Sequence, residues 1–307
     1  MKSGLSLRWA LAANAVFSTS SALLMIVWPI RVGSWLGIDA PWMLRLVGVG
    51  LLVFAAELAY QVTRQRMVTW RALLASAADF SWVLGSIVLV IAVPHLMSPA
   101  GKDLVLIVAG IVFSLGVWQL WGIAWAHRAV VPGEYRHCIV MEANVSADKL
   151  WPIVANLAEI KNYAPSLKRS VVLDGKSLSV GAVRACEDQS GNCWSEECIA
   201  YTAGRSFVVR FRSEEPAFPF PVRTMRGGWE VIPQAGASQV MVWWELRPKS
   251  RLLAPLILAA LGFQADRDFP KIIDRMVRAA IGESDFGRAR FPQRGRGVMA
   301  RLLPYPC

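Results

Sequence analysis

Residues 104–144 read LVLIVAGIVFSLGVWQLWGIAWAHRAVVPGEYRHCIVMEAN, and the chain changes character within this stretch. Residues 104–126 are apolar and long enough to cross the hydrocarbon core of a bilayer, which takes about 20 residues. After a Pro-Gly pair, the β-favouring run His137–Asn144 begins. We therefore expect a membrane-embedded helical domain over residues 1–130 and a folded domain of another kind over residues 134–282.

The composition supports two unlike parts. The chain has 307 residues, of which 55% are hydrophobic and 18% are charged, whereas a soluble domain usually has about 25% charged residues. This apolar content excludes disorder as the main state of the chain. The net charge of +11 lacks the aromatic-interleaved basic face that is typical of nucleic-acid binding, so we expect no nucleic-acid partner.

Four apolar segments precede residue 130, and each has about the length that spans a membrane. They cover residues 10–30, 44–62, 72–93 and 104–126. Loop-forming Pro, Gly and charged residues lie between them, and Trp residues cluster at both ends, as in the aromatic belts of membrane proteins. The sequence predicts a bundle of four transmembrane helices. Alternatively, the first segment is a cleaved signal peptide, with Lys2 and Arg8 at its basic start.

The distribution of Lys and Arg predicts the orientation of the bundle. Seven of these residues lie near the span ends on one side of the membrane, namely Lys2, Arg8, Arg64, Arg66, Arg71, Arg128 and Arg136. Three lie on the other side, namely Arg31, Arg45 and Lys102. Because positive residues are enriched in cytoplasmic loops, we expect a multi-pass protein of the cytoplasmic membrane whose N-terminus and C-terminal domain lie in the cytoplasm.

Two acidic residues, Glu57 and Asp79, lie within the predicted spans. Ionisable side chains inside a membrane are either paired or functional. The sequence places both residues toward the cytoplasmic ends of their spans, within reach of Arg64 and Arg71. Ion pairing with these arginines is the favoured interpretation, and a role in carrying protons or binding a ligand is the alternative.

Beyond residue 134, short β-favouring segments alternate with turn signals. A strand over residues 137–144 and a helix over residues 147–157 come first. Six further strands are predicted, over residues 170–174, 182–187, 193–201, 207–213, 223–232 and 239–246. A long helix over residues 252–281, interrupted at Pro270, follows them. This order predicts an α+β helix-grip fold, in which a curved antiparallel sheet wraps around a long C-terminal helix.

Several short motifs in this domain resemble those of one superfamily. They are Trp151-Pro152-Ile153-Val154, Tyr163-Ala164-Pro165, Val180-Gly181-Ala182-Val183-Arg184, Glu197-Cys198-Ile199, Gly227-Gly228-Trp229-Glu230-Val231 and Val240-Met241-Val242-Trp243-Trp244. Over residues 136–282 the chain resembles the START-like polyketide cyclase and lipid-transport superfamily (SRPBCC). The resemblance implies a cavity for a hydrophobic small molecule or lipid. It implies no single reaction, because the fold hosts cyclases, transfer proteins, receptors and oxygenases.

Strand alternation predicts which side chains line such a cavity, since residues two apart share a face of the sheet. The expected apolar lining residues are Phe207, Val209, Phe211, Trp229 and Trp244. The resemblance adds Glu197, because the matching Glu of the plant hormone receptors in the superfamily points into the cavity; a salt bridge at the rim is the alternative. Tyr163 is expected beside the ligand as well. Glu197 and Tyr163, together with Tyr201, are the candidates for a general acid or base.

The residues indicate no metal site and no cofactor. His137 is the one histidine after residue 130, so that neither a multi-His metal site nor a His-based triad can be built there. Cys186, Cys193 and Cys198 contain no C-x-x-C pair, and alternation places Cys193 and Cys198 on opposite faces. Because cytoplasmic thiols stay reduced, we expect free cysteines rather than disulfides.

Two further segments indicate contact with a membrane. The apolar run Leu252–Phe263 is too short to span a bilayer. We expect it to form a membrane-touching lid at the mouth of the cavity, or alternatively the buried start of a helix. Residues 283–307 form a basic tail that we expect to be disordered and to lie on anionic headgroups.

The function expected from these features is the binding or transfer of a hydrophobic small molecule or lipid by a membrane-tethered START-like domain. Residues 1–130 resemble an uncharacterised four-helix bacterial membrane module, at Asn14-Ala15-Val16-Phe17 and Leu36-Gly37-Ile38. The alternative function is that of a polyketide cyclase or dehydratase acting on a membrane-associated apolar substrate, with Glu197 or Tyr163 as acid or base. A third possibility is an interaction module with a collapsed interior.

Overall fold

The structure is a computed structural model that describes residues 4–175, 177–282 and 300–303. The chain divides into two compact units, Met1–His127 and Arg128–Cys307. The first unit is helical and the second combines a sheet with helices.

The described part of the first unit contains the helices α1 (Leu5–Val27), α2 (Pro29–Leu36), α3 (Pro41–Thr63), α4 (Thr69–Ala92) and α5 (Pro99–Ala126). Four of them, α1, α3, α4 and α5, are long and apolar enough to cross a membrane, which confirms the four predicted apolar helices. The short helix α2 lies where the sequence predicts a loop. Pro29 occupies its first turn, and Gly37, with φ of +76°, ends it in the left-handed conformation that favours glycine.

Close helix contacts in this unit depend on small residues. Helix α1 packs against α3 and α5, and α5 packs against α4, whereas α3 and α4 have few contacts with each other. A Cβ atom on Gly48 of α3 would lie 3.0 Å from the carbonyl oxygen of Ala22 in α1. A Cβ atom on Gly122 of α5 would lie 2.9 Å from the Cα atom of Leu7. Such close approach stabilises helix pairs in a solvent as apolar as lipid.

The two acidic residues of the spans have different partners. Glu57 and Arg71 form the expected ion pair, with Oε1 and Nη2 2.7 Å apart. Asp79 instead accepts hydrogen bonds from the side-chain amides of Asn14 and Gln119. The prediction that Asp79 pairs with an arginine is wrong, because Asp79 lies ten residues after the start of α4, or about 15 Å along the helix, and contacts α1 and α5.

The described part of the second unit contains two helices and eight strands. They are β1 (Tyr135–Ala143), α6 (Ala147–Val154), β2 (Leu167–Val172), β3 (Val183–Asp188), β4 (Cys193–Thr202), β5 (Ser206–Phe211), β6 (Val222–Gln234), β7 (Ala237–Pro248), α7 (Ala254–Ala280) and β8 (Ala300–Leu302). The strands form one antiparallel sheet in the order β2-β3-β4-β5-β6-β7-β1-β8. Strands β2 to β7 are the predicted six-strand meander, and α7 packs against β1 and α6. The helix-grip fold is therefore confirmed.

Two details of this unit differ from the sequence prediction. Helix α7 continues through Pro270, where we expected an interruption. Proline removes one main-chain donor, and the buried side chains that follow it, including Ile273 and Met276, hold the helix in place. Strand β8 lies within the segment predicted to be disordered, so that prediction is wrong at Ala300–Leu302, which cover the edge that β1 would otherwise expose. The remainder of residues 283–307 lies outside the described residues, apart from residue 303.

Candidate functional site

A cavity of about 200 Å³ lies between the inner face of the sheet and α7. Its walls are mainly apolar and aromatic. The five lining residues expected from strand alternation all lie on these walls, namely Phe207, Val209, Phe211, Trp229 and Trp244. They are buried or nearly so because each points inward from β5, β6 or β7.

An aromatic cluster joins the sheet to α7 across this cavity. Phe269 of α7 packs against Trp244 and Trp229, with ring centroids 4.5 Å and 5.7 Å apart. Trp229 in turn lies beside Phe207 at a centroid distance of 6.4 Å. The sequence analysis missed Phe269. Phe269 is four residues after Ala265 and three before Ile272, which also line the cavity. This helical spacing would have predicted that all three face the sheet.

A buried ion pair forms the polar part of the wall. Arg184 on β3 and Glu196 on β4 are directly opposite each other in the sheet. The guanidinium Nη2 atom of Arg184 donates a hydrogen bond to Oε2 of Glu196, and the indole Nε1 atom of Trp194 donates to Oε1 at 2.7 Å. Both carboxylate oxygens are thus satisfied, and all three residues line the cavity.

Arg184 retains hydrogen-bonding capacity. Its Nε and Nη1 atoms are buried and have no hydrogen-bond partner within the described residues. Burial by itself lowers the pKa of this guanidinium, but the adjacent Glu196 carboxylate outweighs burial and leaves the pKa above its ordinary value. The side chain is therefore a permanent cation with two unused donors in an apolar cavity, where an unsatisfied donor costs about 1–3 kcal/mol. A hydrogen-bond acceptor on a ligand would satisfy them.

A second polar group of the cavity wall is His137 on β1, which is separated from β4 by three strands of the sheet. His137 on β1 faces Asp266 on α7, with Nε2 of the imidazole 3.0 Å from Oδ1 of the carboxylate. The imidazole ring stacks on Trp244 at a centroid distance of 6.3 Å. The sequence analysis missed this pair because it considered His137 only as a metal ligand or triad member. An imidazole held by a carboxylate is an arrangement suited to accepting a proton.

The three acid and base candidates from the sequence do not line the cavity. Glu197 lies on the outer face, where its Oε2 atom accepts a hydrogen bond from Arg210 at 3.0 Å. Its expected inward orientation is wrong, because burial of Cys198 sets the opposite phase for β4 and the rim salt bridge is the arrangement found. Tyr163 is half-buried, and its carbonyl oxygen accepts a hydrogen bond from Arg275. Tyr201 is half-buried, and its ring packs against Trp151 of α6 at a centroid distance of 6.1 Å.

The cysteines divide into buried, exposed and bonded thiols. Cys186 and Cys198 are free and buried, and Cys193 is free and exposed. Cys138 on β1 is disulfide-bonded. The prediction that disulfides are absent is wrong here, because it rested on the expected compartment and not on distances. Within the described ranges, no three His, Cys, Asp or Glu residues are grouped to hold a metal ion.

Comparison with known proteins finds similarities to the second unit. Residues 139–280 match the family model described as polyketide cyclase/dehydrase and lipid transport. Similar solved structures include Ara h 8.0201, with 13% identity over 47% of this chain and 99% of that chain and a TM-score of 0.40. The Zhui aromatase/cyclase from Streptomyces sp. R1128 has 15% identity over 48% and 93% of the two chains and a TM-score of 0.38. No curated protein sequence matches the chain.

The free thiols differ in predicted reactivity. Burial raises the pKa of the Cys186 thiol to about 12, and burial also raises the pKa of Cys198. Because the thiolate is the reactive form, we expect iodoacetamide at pH 8 to alkylate Cys193 and to leave both buried thiols unmodified in the native protein. Peptide mass spectrometry measures the result. Denatured protein, in which all three thiols react, is the control, and rapid alkylation of native Cys186 would contradict the burial on which the cavity wall depends.

Proposed function

We propose that the second unit, whose residues 139–280 match the family model described as polyketide cyclase/dehydrase and lipid transport, binds a hydrophobic small molecule or lipid in the cavity between its sheet and α7. The ligand has an apolar body that packs against the aromatic walls. Its head is a hydrogen-bond acceptor, such as a carboxylate or a carbonyl group. The cavity is smaller than the 300–1,000 Å³ of most ligand sites, which favours a compact ligand or one that widens the cavity.

The unused donors of Arg184 are the single observation that carries this proposal. The core of a domain that bound nothing would be expected to pair or exclude such donors, because buried polar groups are nearly always hydrogen-bonded. The Nε and Nη1 atoms of Arg184 lie on different edges of the planar guanidinium, and each can donate separately to an acceptor. An empty apolar cavity alone would not distinguish among head groups, whereas these donors favour a head group that accepts hydrogen bonds.

We expect the full-length protein to bind octanoate and to lose at least about tenfold in affinity when Arg184→Met and Glu196→Gln are combined. Removing both charges together avoids an unpaired buried carboxylate, since replacing a buried ion pair with apolar or neutral residues is often harmless to folding. Isothermal titration calorimetry of the protein in nanodiscs, with empty nanodiscs as reference, measures the affinity.

The single variant Glu196→Gln is the matched control. It keeps Arg184 and removes the carboxylate that competes with the ligand, so we expect octanoate to bind as tightly as in the wild type or more tightly. If the double variant binds octanoate as well as the wild type does, Arg184 does not hold the head of the ligand. Equal binding of octanol and octanoate would lead to the same conclusion.

We further propose that the four apolar helices tether this domain to the cytoplasmic face of the membrane. The seven Lys and Arg residues on one side of the spans, against three on the other, support this orientation. The disulfide at Cys138 opposes it, because disulfides persist mainly in oxidising compartments. Leu252, Leu253 and Leu256 are exposed around the start of α7 and are the side chains through which the proposed lid would contact a bilayer.

The exposed thiol of Cys193 reports the orientation directly. We expect a membrane-impermeant maleimide to label Cys193 in inside-out vesicles and not in right-side-out vesicles, because the reagent reaches only the outer surface of a sealed vesicle. In the Cys193→Ser variant, any remaining label must come from other cysteines, so this variant gives the background of the experiment. Labelling of Cys193 in right-side-out vesicles would place the domain on the opposite side of the membrane.

A second candidate function is proton abstraction from a carbonyl compound, as a cyclase or dehydratase requires. The His137–Asp266 pair in the cavity wall favours it. In this reaction the imidazole of His137 takes a proton from the carbon between two carbonyl groups. Asp266 orients the ring and stabilises the imidazolium that forms.

We expect the protein to accelerate exchange of the α-protons of acetoacetyl-N-acetylcysteamine with deuterium from the solvent. His137→Asn should lower the enzymatic rate about 10²–10⁴-fold, the usual contribution of a general base. Proton NMR measures the exchange. Glu197→Gln is the matched control, because Glu197 lies on the outer face of the sheet, and its rate should equal that of the wild type. Wild-type exchange no faster than in buffer would eliminate this function.

A further inference from the structure

A second cavity lies within the helices of the first unit. It has a volume of about 560 Å³, which is within the range of sites for small molecules. Helices α1 and α5 form its back wall, and α3 and α4 form its sides, as residues of all four helices line it. We call this cavity the bundle cleft. Its lining is apolar except for a few side chains, among them Asp79, Asn14, Ser18 and Ser86.

Helix α2 bounds one end of the bundle cleft, whereas α3 and α4 have few contacts with each other. Val32 and Leu36 of α2 line one end and pack against Leu44 of α3. Elsewhere, Arg71 and Glu57 join α4 to α3 through their ion pair. Between these contacts, few residues of α3 and α4 approach each other, although both helices line the cavity. A molecule dissolved in the bilayer therefore has a lateral route into the cleft.

Asp79 lies at the centre of a buried polar cluster. Asn14 donates from Nδ2 to Oδ2 of Asp79 at 2.8 Å, and Gln119 donates from Nε2 to the same oxygen at 2.7 Å. Ser18 donates to Oδ1 of Asn14 at 3.1 Å. All four residues are at least nine-tenths buried. The cluster thus supplies two neutral donors to one oxygen of the carboxylate and no positive charge.

The hydrogen-bonding atoms that remain in this cluster are acceptors. The side-chain amides of Asn14 and Gln119 both donate to Oδ2 of Asp79. The other carboxylate oxygen, Oδ1, is therefore the one available to a ligand. The Oε1 atom of Gln119 is buried with no partner among the described residues. Its orientation is fixed, because an ionised carboxylate accepts only, so that the amide nitrogen must face Asp79. Of these two residues Asp79 lines the cleft, so a group that reaches its Oδ1 atom from the cleft must donate a hydrogen bond.

The negative charge of Asp79 favours a ligand whose hydrogen-bond donor is also a cation. A carboxylate within a membrane helix is costly unless an opposite charge compensates it. Among the described residues, its hydrogen-bond partners are the amides of Asn14 and Gln119 and include no Lys or Arg. An ammonium group supplies a positive charge and three donors without any acceptor. A hydroxyl would bring a donor but no charge, and an anion would be repelled.

We propose that the bundle cleft is a binding site for lipophilic amines, which enter between α3 and α4 and place their ammonium group on Asp79. The apolar body lies against the side chains of Phe17, Leu51, Phe54 and Trp82, which line the cleft. The site does not depend on the ligand proposed for the cavity of the second unit, and its head-group preference is the opposite one.

Photoaffinity labelling tests this site. The full-length protein in phosphatidylcholine nanodiscs is irradiated with diazirine-bearing dodecylamine or with diazirine-bearing dodecanol, and labelled peptides are quantified by mass spectrometry. We expect the amine to label α3 and α4 at residues that line the bundle cleft. Asp79→Asn, which keeps the shape of the side chain, should lower amine labelling about tenfold and leave alkanol labelling unchanged.

A steric variant tests the same site without altering its charges. A Cβ atom on Gly50 would meet no atom within 4 Å, and Gly50 lines the bundle cleft, so Gly50→Leu fills space at no steric cost to the helix. We expect it to lower labelling by both probes. Gly110→Leu is its matched control, since a Cβ atom there is equally unobstructed and Gly110 does not line the cleft.

Three outcomes would overturn the proposal. In the first, Asp79→Asn retains full amine labelling, and in the second, alkanol labels the cleft as strongly as amine does. In the third, Gly50→Leu and Gly110→Leu are labelled alike, which would place the amine on the lipid-facing surface. Loss of octanoate binding in any variant of the second unit would leave these outcomes unaffected.

Discussion

The guanidinium of Arg184 and the carboxylate of Glu196 lie within the apolar interior of the second unit, and the cavity depends on the way in which they pair. Removing two charges from water costs several kcal/mol per ion unless geometry and further hydrogen bonds offset it. Here the two residues are cross-strand neighbours on β3 and β4, and Trp194 occupies the second carboxylate oxygen. A shift of either strand by one residue would turn one charge outward and leave the other buried alone, so the pair also fixes the register.

Both units place a carboxylate in apolar surroundings, and they compensate it differently. Glu196 has a cation and an indole as partners, and the donors that remain unused belong to Arg184. Asp79 has two amides as partners, and the atoms that remain unused are acceptors. The atoms left for a ligand are therefore donors in the cavity of the second unit and acceptors in the first unit. Apolar walls give each cavity affinity for hydrophobic molecules, but these few atoms determine which head group each accepts.

The pattern of hydrophobic residues predicted most of the fold, because the long apolar runs of the helices and the alternation of apolar and polar residues in the strands are both clear. Apolar runs of about 20 residues fixed four helices, and alternation fixed β5, where Phe207, Val209 and Phe211 face inward as expected. The prediction of which β4 side chains face the cavity was wrong, because it followed a resemblance at Glu197. The neighbouring Cys198 is buried, so Glu197 faces the opposite side of the sheet. Alternation applied to Cys198 would have pointed to Glu196.

Features that depend on distant parts of the chain were beyond prediction from local patterns. His137 and Asp266 are 129 residues apart in sequence, and only the packing of α7 on β1 brings them together. Asp79 contacts Asn14 and Gln119 from two other helices, and no spacing along α4 encodes which helices those are. Local sequence specifies which residues are buried, whereas helix and strand packing decides their partners.

The opposite preferences of the two cavities constrain any transport function. A molecule with a single anionic or carbonyl head satisfies Arg184 and leaves Asp79 uncompensated, and a lipophilic amine does the reverse. One ligand with one charged head therefore does not fit both sites well, which argues against a relay in which the helices pass the ligand of the second unit to its cavity. Under the two proposals, the first unit is an anchor that binds a ligand of its own. Occupancy of the bundle cleft by an amine would compensate Asp79 and thereby stabilise the packing of α1, α4 and α5 around it.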